Sequence, residues 1–275
     1  MAGHSKWVNI KQRKGRQDKI RGKAFTKLGK EIMIAAKIGG GNIDFNPRLR
    51  LAIDKAKAAN MSKDTIERAV KKGTGELEGV EYIEIRYEGY GPEGVAFLVD
   101  VVTDNKNRSA STVRMNFSRN EGNLGETGSV AFMFDRKGIL EFDKKKINEE
   151  KLMEIALEAG AEDIIDRENF SVVITDPNNF ESVKKTLEEK GLNSENAEIT
   201  MYPQNEIEIT DIETAAKILK LYDDLEDNED VQEIYANFNI SEEILEKNGE
   251  IKNDRTSICF FRTGFSVSKY GKRFV

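Results

Sequence analysis

Charge in this 275-residue chain is segregated by position. Met1 to Gly75 carries 19 Lys and Arg against 6 Asp and Glu, a net +13, whereas residues 76–240 carry 17 against 38, a net −21. Residues 241–275 add +2, so the formal net charge of −6 averages over a basic head and an acidic body. The hydrophobic period changes at the same place, from helical before Gly75 to alternating after it. Two coincident changes predict that head and body fold as different kinds of domain. The bias is steepest at the start, where Lys6, Lys11, Arg13, Lys14, Arg16, Lys19, Arg21, Lys23, Lys27 and Lys30 face only Asp18. Such a cluster sets up a positive field, and each phosphate it neutralises releases counterions, so nucleic acid is the expected ligand. The acidic body repels phosphate, which confines binding to the head.

The head reads as a basic arm followed by three helices. Phe25, Leu28, Ile32, Ala35 and Ala36 fall at helical spacing between Lys23 and Ile38, and Gly39, Gly40 and Gly41 end that helix. Asn46 and Pro47 open a second helix that buries Leu49, Ile53 and Ala56 and stops near Asn60. Ser62 caps a third, carrying Ile66, Ala69 and Val70 and closed by Gly73. In the body, strands are expected at Glu84–Glu88, Val95–Val102 and Ser129–Phe134, with a helix at Asn107–Arg119. From Gly138 a second pattern runs as strand Ile139–Phe142, helix Glu149–Ala159, strand Phe170–Thr175, helix Asn179–Lys190 and strand Ala197–Tyr202. Asp163–Glu168 starts a hairpin with Phe170–Thr175. A strand at Glu206–Thr210, a helix at Ile212–Leu225 and a strand near Ile234–Phe238 follow. The expected fold class is α+β: an N-terminal helical domain followed by two small split-βαβ, ferredoxin-like domains, one inserted in the other. The expected boundaries are 1–75 for the nucleic-acid-binding head, 76–135 plus 205–240 for one α/β domain, 136–204 for the inserted one, and 241–275 for an additional tail.

Composition narrows the chemistry. One Cys excludes a disulfide scaffold and Cys-rich zinc modules and points to a reducing compartment; one His, His4, removes histidine triads and most metal chemistry. No run approaches the ~18 to 20 apolar residues of a bilayer span, and no P-loop is present. Gly89-Tyr90-Gly91-Pro92-Glu93-Gly94 matches G-x-G-x-x-G, but a strand follows it where a dinucleotide site needs a helix, so it reads as a turn. Thr103-Asp104-Asn105-Lys106-Asn107-Arg108 leaves a strand and enters a helix; Asp104 or Asn105 caps it, and Lys106 and Arg108 are placed to assist a phosphate there. Gly122-Asn123-Leu124-Gly125 reads as a loop. Trp7, among cations, suits either stacking on a base or anchoring the arm. Ala2-Gly3-His4 at a freed terminus is a Cu(II) or Ni(II) ligand set, but a phosphate-facing imidazole or simple disorder is the expected reading, and no metal or cofactor is expected. The acidic run Asp223, Asp224, Glu226, Asp227, Glu229 and Asp230 lacks the spacing of a calcium loop and reads as solvated charge.

Blocks of residues resemble one family. Met1-Ala2-Gly3-His4-Ser5-Lys6-Trp7 with Asn9-Ile10-Lys11 is similar to the opening of the YebC/PmpR family. Phe25-Thr26-Lys27-Leu28, Asn46-Pro47-Arg48-Leu49-Arg50, Ala52-Ile53-Asp54-Lys55-Ala56-Lys57 and Ile66-Glu67-Arg68-Ala69 resemble its next blocks. Tyr87-Glu88-Gly89-Tyr90-Gly91-Pro92, Thr103-Asp104-Asn105, Asn107-Arg108 and Gly122-Asn123-Leu124-Gly125 continue the match to about Asn239. The resemblance implies a helical domain plus two α/β domains, one inserted in the other, and a DNA-binding transcriptional regulator. It also implies an alternative, a ribosome-associated translation factor that binds RNA and assists synthesis through proline runs. The coincidence of the family start with Met1 leads to the expectation of no presequence and of a cytoplasmic protein. Residues 241–275, with Cys259, Phe260, Phe261, Phe265 and Tyr270, extend past the usual family end and carry no functional expectation.

The resulting expectation is a non-enzymatic regulator of gene expression that binds DNA or RNA, with no membrane and no small-molecule substrate. Lys11, Arg13, Lys14 and Arg16 are the leading phosphate contacts, Lys6, Lys19, Arg21 and Lys23 the next, and Trp7 the stacking candidate.

Overall fold

The computed structural model of the chain describes residues 22–167, 170–240 and 244. Helix α1 occupies described residues 22–39, followed by α2 (Pro47–Ala58) and α3 (Lys63–Gly73). Strands β1 (Ile83–Tyr90) and β2 (Ala96–Thr103), helix α4 (Lys106–Arg119) and the short strand β3 (Asn123–Leu124) come next. Then follow β4 (Phe134–Asp143), α5 (Glu149–Glu158), β5 (Asp163–Asp166), β6 (Phe170–Thr175), α6 (Phe180–Glu189) and β7 (Asn196–Pro203). Strand β8 (Ile207–Ile209), helix α7 (Ile212–Glu226), β9 (Val231–Ala236) and β10 (Phe238–Ile240) complete the elements. The sheets run β3-β1-β2-β9, β5-β6-β4-β7 and the parallel pair β10-β8. The fold is α+β.

By contact the chain divides into two compact units. The first holds the described residues through Tyr87, Val99–Leu124 and Lys220–Ile234. Its three N-terminal helices close on one core: Ile32, Ala35 and Ala36 of α1, Leu49, Ala52, Ile53 and Ala56 of α2, and Ile66 and Ala69 of α3, with Met61 between. Apolar residues three and four apart give each helix one sticky face, and the alanines let the helices approach closely. Gly40 sits at φ +80° just past α1 and its N–H donates to the Ala36 carbonyl at 2.9 Å, the left-handed stop expected of a glycine there. Gly73 does something else. It remains inside α3, and a Cβ there would lie 2.4 Å from the Met33 carbonyl oxygen and 2.8 Å from the Ala36 Cβ. The residue that reads as a helix stop is the contact that lets α3 touch α1.

The second unit holds Glu88–Leu98, Gly125–Leu219 and the described residues from Tyr235. In it β4-α5-β5-β6-α6-β7 forms a ferredoxin-like sheet in which β4 pairs antiparallel with β6 and β7, and β6 with β5. Alternation along β4 sends Leu140 and Phe142 to one face, where they pack with Leu152 and Ala156 of α5 and Val183 and Leu187 of α6. Ile139 goes to the other face with Val172 and Ile174.

Three elements differ from the sequence expectation. Ser129–Phe134 is not a strand: Ala131–Met133 is a 3-10 turn and β4 begins at Phe134. The buried Glu88 carboxylate accepts the backbone N–H groups of Gly128, Val130 and Ala131, each at 2.7 Å, so a side chain satisfies donors that a strand would have used in a ladder. The strand expected near Ile234–Phe238 is two strands split at Asn237, whose Oδ1 accepts from the Ala96 N–H at 2.8 Å and whose Nδ2 donates to the Asn205 carbonyl. Within the expected loop Gly122–Gly125, Asn123–Leu124 pairs beside β1.

Candidate nucleic-acid interface

Of the nine sequence-predicted contacts, Lys6, Trp7, Lys11, Arg13, Lys14, Arg16, Lys19 and Arg21 lie outside the described residues, as do His4 and Cys259. Lys23 is described, and its charge is already engaged. Lys23, Lys27 and Lys30, spaced by four and three, share one face of α1. The Lys23 ammonium donates to the Asp227 carboxylate at 3.0 Å and to the Asp227 carbonyl at 3.1 Å, and Lys27 donates to the Glu226 carbonyl at 2.9 Å. Helix α7 ends at Glu226, so these lysines reach the end of a helix whose last carbonyls lack intrahelical partners and carry the negative end of its dipole.

Lys30 goes deeper. Its ammonium donates to the Glu229 carbonyl at 3.0 Å and to the Asp230 carboxylate at 2.6 Å, with both side chains below a tenth exposed, and lies 5.6 Å from the Tyr82 ring centre. Asp230 also accepts from Arg108 Nη2 at 2.9 Å and Thr103 Oγ1 at 3.1 Å. Burial by itself would raise the Asp230 carboxyl; the hydrogen bonds from Lys30 and Arg108, with the Lys30 charge, outweigh it and hold the group below the usual carboxylate range. The acidic run 223–230 is therefore not simply solvated. Asp230 is a buried ionic centre, and Asp224 accepts from Lys220 at 2.7 Å and Asn120 at 2.9 Å. Lys37, the remaining lysine of described α1, pairs with Glu81 at 2.7 Å.

The candidate phosphate site at the start of α4 resolves the same way. Asn105 is the cap, its Oδ1 accepting the Arg108 N–H at 3.0 Å. The Arg108 guanidinium turns to Asp104 at 2.6 Å and Asp230 at 2.9 Å rather than standing free. The G-x-G-x-x-G segment is a turn, with Pro92–Gly94 forming a 3-10 helix, Glu93 at φ +55° and β2 following.

Cations without such partners lie on α2 and α3. Lys55, Arg68, Lys71 and Lys72 form no ion pair among the described residues, and Lys57 and Lys63 have only exposed neighbours, Asp54 at 3.4 Å and Glu67 at 3.6 Å. Exposed pairs of this kind stabilise by about 0–1 kcal/mol, so they yield readily to a phosphate. Four residues, 59–62, join the two helices, with Asn60 at φ +62°. A groove of about 1050 Å³ runs along them, floored by Ile53, Met61, Ile66 and Val70 and edged by Lys57, Lys63 and Lys71 as well as Glu67 and Glu76.

Beside the groove, residues 42–45 are fastened by the side chains of Arg50 and Asn42 and followed by Asn46, which ties the adjoining helices. Asn46 caps α2 by accepting the Leu49 N–H at 3.0 Å, and its amide donates to the Ala35 and Gly40 carbonyls, each at 2.8 Å. Arg50 Nη2 donates to the Ile43 and Asp44 carbonyls, each at 3.0 Å, and the Asp44 N–H donates to the Asn42 side chain at 2.9 Å. Ile43, which lines the groove, is 41% exposed, and Phe45 is 84% exposed. Sequence reading passed over Phe45; the signal was an aromatic directly before a cap residue with Arg48 and Arg50 within the next turn.

Comparison with known proteins places this geometry in a lineage. A family model described as the TACO1/YebC protein N-terminal domain matches residues 5–76, and one described as the TACO1/YebC second and third domain matches residues 82–238. The chain belongs to the TACO1/YebC family. Among relatives, "Probable transcriptional regulatory protein FN1661" of Fusobacterium nucleatum is 56% identical over 247 residues, covering 90% of this chain and 99% of that protein. A "Probable transcriptional regulatory protein" of Syntrophotalea carbinolica is 58% identical over 245 residues, 88% of this chain and 97% of its own. Among solved structures, the conserved hypothetical protein Aq1575 of Aquifex aeolicus is 50% identical with a TM-score of 0.70, covering 82% of this chain and 93% of that one. As a TACO1/YebC member the chain has its N-terminal family domain where α1, α2 and α3 lie. Among its described residues no helix is long and apolar enough to cross a membrane.

Proposed function

We propose that this TACO1/YebC protein is a non-enzymatic regulator of gene expression that binds nucleic acid, DNA or RNA, in the cytoplasm. The arm residues Lys6, Lys11, Arg13, Lys14, Arg16, Lys19 and Arg21, with Trp7, and the α2–α3 surface supply the contacts, while the acidic α/β body faces a different component. Under this reading residues 1–75 are the binding domain, 76–135 with 205–240 and 136–204 are the two α/β domains, and 241–275 are an addition. The relatives' names, probable transcriptional regulatory proteins, agree with a transcriptional role. The single observation that carries the reading is the division of cations within the head. The lysines of described α1 are tied to carboxylates and carbonyls of their own unit, whereas Lys55, Arg68, Lys71 and Lys72 are exposed and form no ion pair among the described residues. On this reading Lys23 anchors the helix rather than contacting ligand.

The test is salt dependence. Changing Lys11, Arg13, Lys14 and Arg16 together to Ala removes up to four phosphate contacts, and the slope of log affinity against log salt on duplex DNA flattens by about 3 to 4. An unchanged slope removes the arm from the interface. Co-sedimentation with ribosomes at low salt, combined with no retention of promoter DNA, replaces transcription by translation.

A further inference from the structure

Three features of the head go unused by a protein that only grips phosphates. The first is Phe45, an aromatic held 84% exposed. The second is the fastening of its loop: Arg50 gives guanidinium bonds to the Ile43 and Asp44 carbonyls, and Asn46 bonds Gly40 on one side and Leu49 on the other. The third is the groove, whose floor of Ile53, Met61, Ile66 and Val70 is apolar while Lys57, Lys63 and Lys71 stand at its edge with Glu67 and Glu76. Duplex backbones present phosphates and no flat apolar face, so a duplex leaves the exposed Phe45 ring in water. Single strands present both phosphates and unstacked base faces, and proteins that bind them combine cations with rigid aromatic platforms.

We propose that loop 42–45 and the α2–α3 groove receive unpaired bases of a single-stranded nucleic acid, with Phe45 as the stacking face and Lys57, Lys63 and Lys71 on the backbone. This rests on the nucleic-acid reading above and narrows it to the unpaired form of the ligand. Charge complementarity selects the occupant: the head is the cationic part of the chain, and an anionic polymer with flat apolar faces matches an exposed aromatic beside a groove edged by three lysines against two glutamates. Fastening the loop matters because a backbone already held at Ile43 and Asp44 loses little conformational freedom when the Phe45 ring stacks. The same geometry accepts RNA or DNA, since both offer base faces, and the experiment separates them.

Fluorescence anisotropy with the full chain and labelled 12-mers of one sequence, as single-stranded RNA, single-stranded DNA and the two duplexes, tests this for wild type, Phe45→Ala and Phe45→Trp. The wild type is expected to favour a single strand over its duplex. Phe45→Ala loses about 5- to 100-fold on single strands and less than twofold on duplexes, and Phe45→Trp restores binding. Phe45 is exposed, so both variants keep the fold, which circular dichroism verifies. Duplex preference, or an equal loss on every probe, overturns the base-stacking site while leaving nucleic-acid binding standing. No binding to any probe overturns both readings. Wild-type self-association that Phe45→Ala abolishes, seen by sedimentation velocity, makes the patch a subunit contact and also overturns the proposal.

Discussion

Glu141 provides a worked test of how this chain buries charge. It lies on β4 opposite Asn196 of β7, and Glu198 is two residues further along β7, on the same face of the sheet. Burial is the main cause that raises its carboxyl from 4.5 to about 7; the Asn196 side chain works against the shift and the Glu198 charge adds to it. Between pH 4.5 and 7 the unfolded chain has lost this proton and the folded chain keeps it, so stability falls as pH rises through that window. At about 1.36 kcal/mol per pH unit the gap is worth about 3 kcal/mol above pH 7. Glu141→Gln removes the ionisation and keeps the shape. The variant is expected to match wild type at pH 4.5 within about 0.5 kcal/mol and to exceed it by about 3 kcal/mol at pH 8.5, read from urea midpoints at the two pH values. Comparing variant with wild type at each pH cancels the other titrating groups. A gain that is the same at both pH values, or a loss at pH 8.5, refutes burial as the source of the shift.

Two further perturbations probe the first unit. Asp230→Ala leaves the buried Lys30 unpaired and should cost about 3–5 kcal/mol, whereas Asp227→Ala removes an exposed partner of Lys23 and should cost less than about 1 kcal/mol; urea denaturation at pH 7 separates them. The pH sign is opposite to that of Glu141. The Asp230 carboxyl is held below its ordinary value, so its contribution is fully present above about pH 4 and is lost as pH falls through the lower folded value; Asp230→Asn removes that acid-side loss. Gly73→Ala would stabilise an isolated helix by about 1 kcal/mol, but here its Cβ meets the Met33 carbonyl, so thermal denaturation should show a net loss of about 1–3 kcal/mol. A stabilised variant would show that α1 and α3 separate at no cost.

Local chemistry written in consecutive residues was legible before any coordinates. The cap at Ser62, the helix start at Asn46 and Pro47, the glycine stop after α1, and the periods of α5, β6 and α7 all depend on neighbours within about four positions and formed as read, while of Asp104 and Asn105 the structure chose Asn105 as the α4 cap. Glu88 shows where that kind of reading ends. Its carboxylate takes backbone donors some 40 residues away, and nothing near Ser129 announces that its segment will be paired with a side chain instead of a strand. Charge behaves likewise. Composition alone makes the head basic and the body acidic, because a count needs no geometry. Which lysines remain available is set by distance: Lys23, Lys27 and Lys30 meet residues 226–230 about 200 positions later, while Lys55 and Lys71 form no ion pair among the described residues. The sequence by itself determined the sign of each region's field. Only tertiary structure decided which charges are spent inside the molecule, because attraction between ions depends on separation and burial, and folding creates both.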